Sequence, residues 1–274
     1  MIEDNRTIGI VSLRLKDETL YFTGSEDLCD YMDFLPEAGK EDVVFEALLD
    51  YLEKFPSPRL ELRSVKGGSP TLDGFLSLAR RRDFRVTQTL EEVSPGIDLP
   101  SSWEEYLSTL SKKDRHELRR KMRRLTETGS AHFSSVTDTA HYEQDAADFF
   151  HLLRLNADKD EFMTVPRQRF FNLMMRRLLD LGWLKIHFLE VDNQRVSAVA
   201  CFDYGGQVLL YNSGYDPAYS YLSVGLLLKA SCLKEAIELG KTRFDFLRGQ
   251  EPYKYDLGGK DVPVYHLTIA REGR

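Results

Sequence analysis

The stretch from Tyr211 to Tyr255 constrains this chain more than any other. It reads Tyr211-Asn212-Ser213-Gly214-Tyr215-Asp216-Pro217, then Leu222-Ser223-Val224-Gly225, an apolar run to Gly240, and Phe244-Asp245-Phe246-Leu247-Arg248-Gly249-Gln250-Glu251-Pro252-Tyr253-Lys254-Tyr255. The pattern predicts a strand ending in a Gly-containing turn, a capped helix, a second strand and a loop dense with charge and phenols. In the order strand, helix, parallel strand, a ligand is expected where the helix N-terminus meets the carboxyl ends of the strands. The polar residues of the stretch fall at those ends.

Two features there carry chemistry. Ser223 is placed to cap the helix, and Gly225 lets backbone approach an anionic group closely, as a pyrophosphate or a carboxylate would need. Capping alone is the simpler reading of Ser-x-Gly, because most helices need such a cap. From Asp245 to Lys254, acid, guanidinium, acid, phenol and amine follow an apolar strand within one short loop, and so many functional groups must be paired or solvated. A surface turn with an Arg248/Glu251 ion pair is the alternative meaning.

Composition bounds the class. The 274 residues suffice for one large domain or two smaller ones, and a hydrophobic fraction of 42% with 30% charged residues is that of a globular protein. A net charge of -7 argues against a general nucleic-acid binder. Cys29, Cys201 and Cys232 are isolated, and the six histidines show no ligand spacing, so neither a disulfide framework nor a metal is expected. No window approaches the roughly 20 apolar residues of a membrane helix, and Met1 to Asn5 is too acidic and polar to open a secretory segment. The expected compartment is the cytoplasm.

In chain order, Ile8 to Leu15, Leu20 to Thr23, Leu60 to Val65 and Phe84 to Val93 read as strands, with helices over Gly39 to Phe55 and from Ser69-Pro70 to Arg82. The Pro/Gly/Ser-rich link Ser94 to Ser102 predicts a boundary near residue 100, dividing the chain into 1–100 and 101–274. Trp103 to Thr128 reads as one helix with Leu107, Leu118, Met122 and Leu125 on one stripe and Lys112, His116, Arg119 and Arg123 opposite. A solvated face is the commoner meaning of such charge; binding of cofactor phosphates or of an acidic acceptor is the functional one. A strand from His132 to Val136, helices over Ala140 to Leu155 and from Pro166 to Gly182, three strands within Trp183 to Ser213 and a last strand over Pro263 to Ala270 complete the second half. Between its two helices lies the polar gap Asn156 to Glu161.

That second half resembles the GNAT acyltransferase fold, and more specifically the CelD-like branch related to the FemABX aminoacyltransferases. The matching words are Leu118-Arg119-Arg120-Lys121, Val196-Ser197-Ala198-Val199-Ala200, Tyr211 with Gly214 to Pro217, Ser223-Val224-Gly225 and Phe244 to Lys254. The resemblance implies an α/β (α+β) chain of two GNAT-like mixed-sheet units in tandem, the first shortened or degenerate, joined by the basic helix. It implies an N- or O-acyltransferase taking an acyl group from acyl-CoA, acetyl-CoA above all, to a small-molecule or polysaccharide-precursor acceptor. An aminoacyl-tRNA donor and a non-catalytic binding module are the alternatives. Of the Gly-rich pyrophosphate loop of ordinary GNAT enzymes only Gly225 remains.

Acyl transfer needs a neutral nucleophile, polarisation of the carbonyl and a proton for the leaving group. By this resemblance and their clustering at strand ends, Asp216 or Glu251 would accept the acceptor's proton, and Tyr211 or Tyr253 would protonate the leaving group. Ser213, Gly214, Ser223, Val224 and Gly225 would hold the donor, while Tyr215, Asp245, Arg248 and Lys254 would position the substrate.

Overall fold

The computed structural model describes residues 1–55 and 58–271. The chain is mixed α/β and divides into two units, Pro95–Lys260 and the flanking segments Met1–Ser94 with Asp261 onward.

The flanking unit is built on a mixed sheet. Leu13–Lys16 and Thr19–Phe22 form a hairpin whose turn residues Asp17 and Glu18 both adopt positive φ, the conformation that a two-residue hairpin turn requires. Thr19–Phe22 runs parallel to Arg59–Lys66, which pairs antiparallel with Lys260–Ala270. The final strand, expected with the second half, thus belongs to this unit's sheet. Glu41–Leu52 buries Val44, Phe45, Leu48, Leu49 and Leu52, an i, i+4 stripe. Phe22, Phe34, Phe45 and Phe75 meet edge-on or tilted at centroid distances of 5.2 to 6.2 Å.

In Pro95–Lys260 the strands lie in the order Ala131–Val136, Leu184–Val191, Gln194–Tyr204, Gln207–Tyr215 and Arg243–Asp245, followed by the end of Arg85–Asp98. All neighbours are antiparallel except Gln207–Tyr215 and Arg243–Asp245, which are parallel. Between them the chain passes through the helix Val224–Glu238, as a parallel connection requires. Val199 and Cys201 cluster with Leu227, Leu228, Cys232 and Leu233 of that helix. Ala198, one residue out of phase, pairs with Gly214, and the opposite face is covered by Tyr142–Arg154. The expected helix from Trp103 to Thr128 is two, Trp103–Thr109 and Lys112–Thr126, because Ser111 opens a second cap by accepting from Asp114 N at 3.1 Å. The polar gap after Leu155 is a short helix, Ala157–Phe162, capped by Asn156.

Gly214 shows how tightly this unit is packed. A Cβ there would stand 2.4 to 2.5 Å from the backbone of Leu152 and Leu153. Replacing Gly214 with Ala is therefore expected to force strand and helix apart and cost about 3 kcal/mol, read as a lowered midpoint in urea; an unchanged midpoint would contradict the packing.

Candidate functional site

The two parallel strands pair over only three positions, Gln207 to Leu209 against Arg243 to Asp245. Beyond Leu209 the strands part, and Gln207–Tyr215 continues for six residues without the neighbour on that side. A bulge occurs there. Ala200 pairs with Asn212 and Cys201 with Leu210, so Tyr211 is the extra residue, and such a bulge bends the strand away from its partner. The helix Val224–Glu238 begins beside this parting, with the Tyr215 ring 3.0 Å from where a Gly225 Cβ would lie.

Ser223 stands at the N-cap but does not cap through its side chain. It adopts a left-handed conformation (φ 59°, ψ 33°), which turns its hydroxyl away from the helix N–H groups. Its carbonyl accepts from Leu226 and Leu227, and its Oγ accepts from Arg124 Nη2 at 3.1 Å. Arg124 comes from the basic helix, and its Nε is buried with no hydrogen-bond partner. A guanidinium thus stands at the start of a helix whose first N–H groups have no intrahelical acceptor. Elsewhere on the basic helix, Arg119 pairs with Glu104 of the preceding helix, and Arg120 and Lys121 pair with Glu117.

On the second turn of Val224–Glu238, Lys229 points inward. It is only 6% exposed, donates to Gly225 O at 3.1 Å and lies 4.7 Å above the Tyr253 ring. Burial, and then the charge of Lys159, bring its ammonium down to about 8. Lys159 arrives from the short helix Ala157–Phe162 and donates to Asn212 Oδ1 (2.9 Å) and Ser213 O (2.5 Å) on the unpaired stretch of the bulged strand. Its pKa is also lowered by burial, with Glu251 acting in the other direction. Tyr253 is held well above the usual phenol range by burial and then by Glu251. Ser213, Gly225, Lys159, Lys229, Glu251 and Tyr253 therefore converge where the strands part.

Several expected site residues have structural duties instead. Lys254 is buried, and its ammonium donates to the carbonyls of Leu247 (2.8 Å), Arg248 (2.6 Å) and Gly249 (3.1 Å) while pairing with Glu251 Oε2 at 2.9 Å. It staples the loop and has no proton left for a substrate. Asp245 is fully buried and accepts from Leu247 N at 2.9 Å, which holds Leu247 at φ 60°. Gly214 is closed off by Leu152, and the Val224 side chain is fully buried in the core. Asp216 accepts from Ala218 N at 2.9 Å and lines a separate cavity of about 430 Å³ with Asp148, His151 and Arg195. Tyr211 packs its ring between Phe171 and Phe202 at 5.9 and 4.6 Å. Arg248 is half-buried and offers its carbonyl to Lys254, and Tyr215 stays partly exposed against Gly225. Neither Lys229 nor Lys159 is among the residues the sequence singles out. Lys229 carries a signal, a lone charge in Leu226-Leu227-Leu228-Lys229-Ala230; Lys159 carries none, being one charge beside the polar Asn156, Asp158, Asp160 and Glu161.

A bulged strand that parts from its parallel neighbour beside a helix N-terminus is the arrangement of the GNAT fold. Residues 112–255 match the family model described as "Acetyltransferase (GNAT) domain", and the chain belongs to that family. Among solved structures, the chain is similar to FemX, at 11% identity with a TM-score of 0.65, over 97% of this chain and 86% of that one. It is also similar to the C-terminal domain of a putative lysylphosphatidylglycerol synthetase from Agrobacterium fabrum, at 11% identity and a TM-score of 0.61, over 94% and 79%. A third, the L-PGS of Bacillus licheniformis, shares 12% identity with a TM-score of 0.59, over 96% and 80%. No curated protein matches. These likenesses concern the fold. Among the described residues, no helix is long and apolar enough to cross a membrane.

Proposed function

We propose that the chain transfers an acyl group from an acyl-CoA thioester, acetyl-CoA above all, to an amine or hydroxyl acceptor, a small molecule or a precursor of cell-surface polysaccharide. The observation that carries this reading is the parting of Gln207–Tyr215 from Arg243–Asp245 beside a helix start that bears Arg124. An acyl-CoA has one amide-rich arm and one pyrophosphate, and these two features suit them in turn. The arm would add hydrogen bonds to the unpaired strand edge near Ser213. The pyrophosphate would sit on the first turn at Val224 and Gly225, where Arg124 Nε has no other partner.

In this reading the acceptor's lone pair attacks the thioester carbonyl, and Glu251, with a side chain 53% exposed, takes the acceptor's proton. The buried charge of Lys229, supported by Lys159, stabilises the oxyanion of the tetrahedral intermediate. As the carbon–sulfur bond breaks, the thiolate takes a proton from the Tyr253 phenol. Proton return from Glu251 to Tyr253 through solvent closes the cycle. Asp216 and Tyr211 are left in supporting positions.

Release of free thiol from acetyl-CoA, followed against a panel of amines and alcohols, tests the reaction; no acceptor-dependent release with any of them would count against it. Arg124→Glu is expected to raise the KM for acetyl-CoA about tenfold or more, since a charge-assisted hydrogen bond contributes about 1.5–3 kcal/mol, with little change in kcat. Binding of tRNA that weakens steeply with salt, in place of CoA binding, would select the aminoacyl-tRNA reading.

A further inference from the structure

Three buried side chains that acyl transfer does not use come together under the helix Val224–Glu238. His187 and Cys201 lie on neighbouring antiparallel strands. Lys185 pairs with Cys201 and His187 with Val199, so the two side chains share a face on a diagonal. Cys232 descends onto them from the helix. They are 5%, 1% and 3% exposed, and one ligand atom from each lies within 4.8 Å of the others.

The surroundings of His187 settle how its ring is held. Nδ1 is 2.8 Å from Ser135 Oγ and 3.5 Å from Glu235 Oε2. Ser135 Oγ donates to that same Glu235 oxygen at 3.1 Å, and Lys185 Nζ fixes the other oxygen at 2.7 Å. A histidine whose Nδ1 faces a fixed carboxylate and hydroxyl presents Nε2 as the free lone pair, the arrangement found behind metal-ligating imidazoles.

We propose that Cys201 Sγ, Cys232 Sγ and His187 Nε2 bind one soft divalent ion of the Zn²⁺ class, with Glu235 and Ser135 orienting the imidazole. Zinc bonds of about 2.3 Å to sulfur and 2.0–2.1 Å to nitrogen place tetrahedral ligands roughly 3.4–3.8 Å apart, so ligand atoms that now lie within 4.8 Å of one another need to close by about 1–1.4 Å at most. The ligand set is soft and excludes Mg²⁺ and Ca²⁺, which take oxygen. Two thiolates neutralise the ion, so the buried complex carries no net charge. Three protein ligands leave a fourth position for water. The set is assembled from positions 187, 201 and 232 on three elements, so no ligand spacing along the sequence displays it.

The test is a Co²⁺ titration of the full-length chain after chelator treatment, followed by absorbance. The expected result is one equivalent bound, with thiolate-to-cobalt charge-transfer bands and tetrahedral ligand-field bands that Zn²⁺ displaces. Cys201→Ser and Cys232→Ser should each lose the charge-transfer intensity of one thiolate while acetyl-CoA binding survives. Absence of thiolate-to-cobalt absorption in the wild-type protein overturns the proposal, whatever the variants do. So does a spectrum that both serine variants retain, since the ion would then sit elsewhere and the cysteines would be apolar filling. Neither readout depends on acyl transfer.

Discussion

Replacing Lys229 with Met is expected to make the protein more stable and inactive. Its ammonium stands at about 8 against 10.5 for an unperturbed lysine, a difference of 2.5 in pKa that corresponds to about 3 kcal/mol. Below about pH 8 both the folded and unfolded states carry the charge, and the folded state bears the desolvation. Between pH 8 and about 10.5 the folded state sheds its proton first, so stability rises with pH; above that range both states are neutral and the burden is gone. Lys229→Met removes the burden at every pH, and Gly225 O keeps a backbone partner within the helix. Thermal unfolding at pH 7 should therefore rise by several degrees, about 2–3 kcal/mol, and the gain should shrink towards zero near pH 10.5. Of the charged groups that act on this ammonium, Lys159 adds to the burden, whereas Cys232, Cys201 and Glu251 relieve it. Turnover should fall at least a hundredfold, as expected for loss of a buried oxyanion stabiliser. A variant that is no more stable at pH 7, or that turns over normally, would remove Lys229 from the site.

The second large effect belongs to the loop after Arg243–Asp245. Glu251→Gln keeps an acceptor for Lys254 but loses the base, so kcat should drop about 10²–10⁴-fold with the KM for acetyl-CoA unchanged. Tyr253→Phe keeps the ring under Lys229 and against Phe246 and removes only the proton, so it should also lower kcat and leave donor binding intact. Steady-state kinetics on both variants at matched thermal stability checks this. A rise in KM alone would make these residues binding groups, and full turnover in both would dismiss the assignment.

Local chemistry explains which parts of this were legible in the sequence. The strand, helix and strand of the Tyr211–Tyr255 stretch could be read from periodicity. Glu251 and Tyr253 stood out because their loop follows an apolar strand. What a sequence pattern does not encode is where each polar group spends its hydrogen bonds. Lys254 looks like a substrate lysine until three carbonyls are seen around it, and Asp245 like an acid until Leu247 N is seen to occupy it. Gly214 reads as a ligand glycine, yet the backbone at its face is that of Leu152. Ser223 has the right identity for a cap and the wrong φ. Lys159 could not be found at all, because its role depends on the register that brings Asn212 and Ser213 opposite a short helix 53 residues earlier in the chain. The last strand moved from one unit to the other for a similar reason: alternation predicts a strand, and only pairing says whose.

In the proposed reading an acyl-CoA sits where Gln207–Tyr215 parts from its parallel neighbour, with its pyrophosphate against Arg124 and the start of Val224–Glu238. A thermal-shift titration with acetyl-CoA, on the wild-type chain and on Arg124→Glu, decides whether it does. The wild type should show a rise equivalent to about 2.7 kcal/mol at a hundredfold excess over Kd, and the variant a titration curve displaced about tenfold or more to higher concentration. No shift in the wild type, or an identical shift in both proteins, would contradict it.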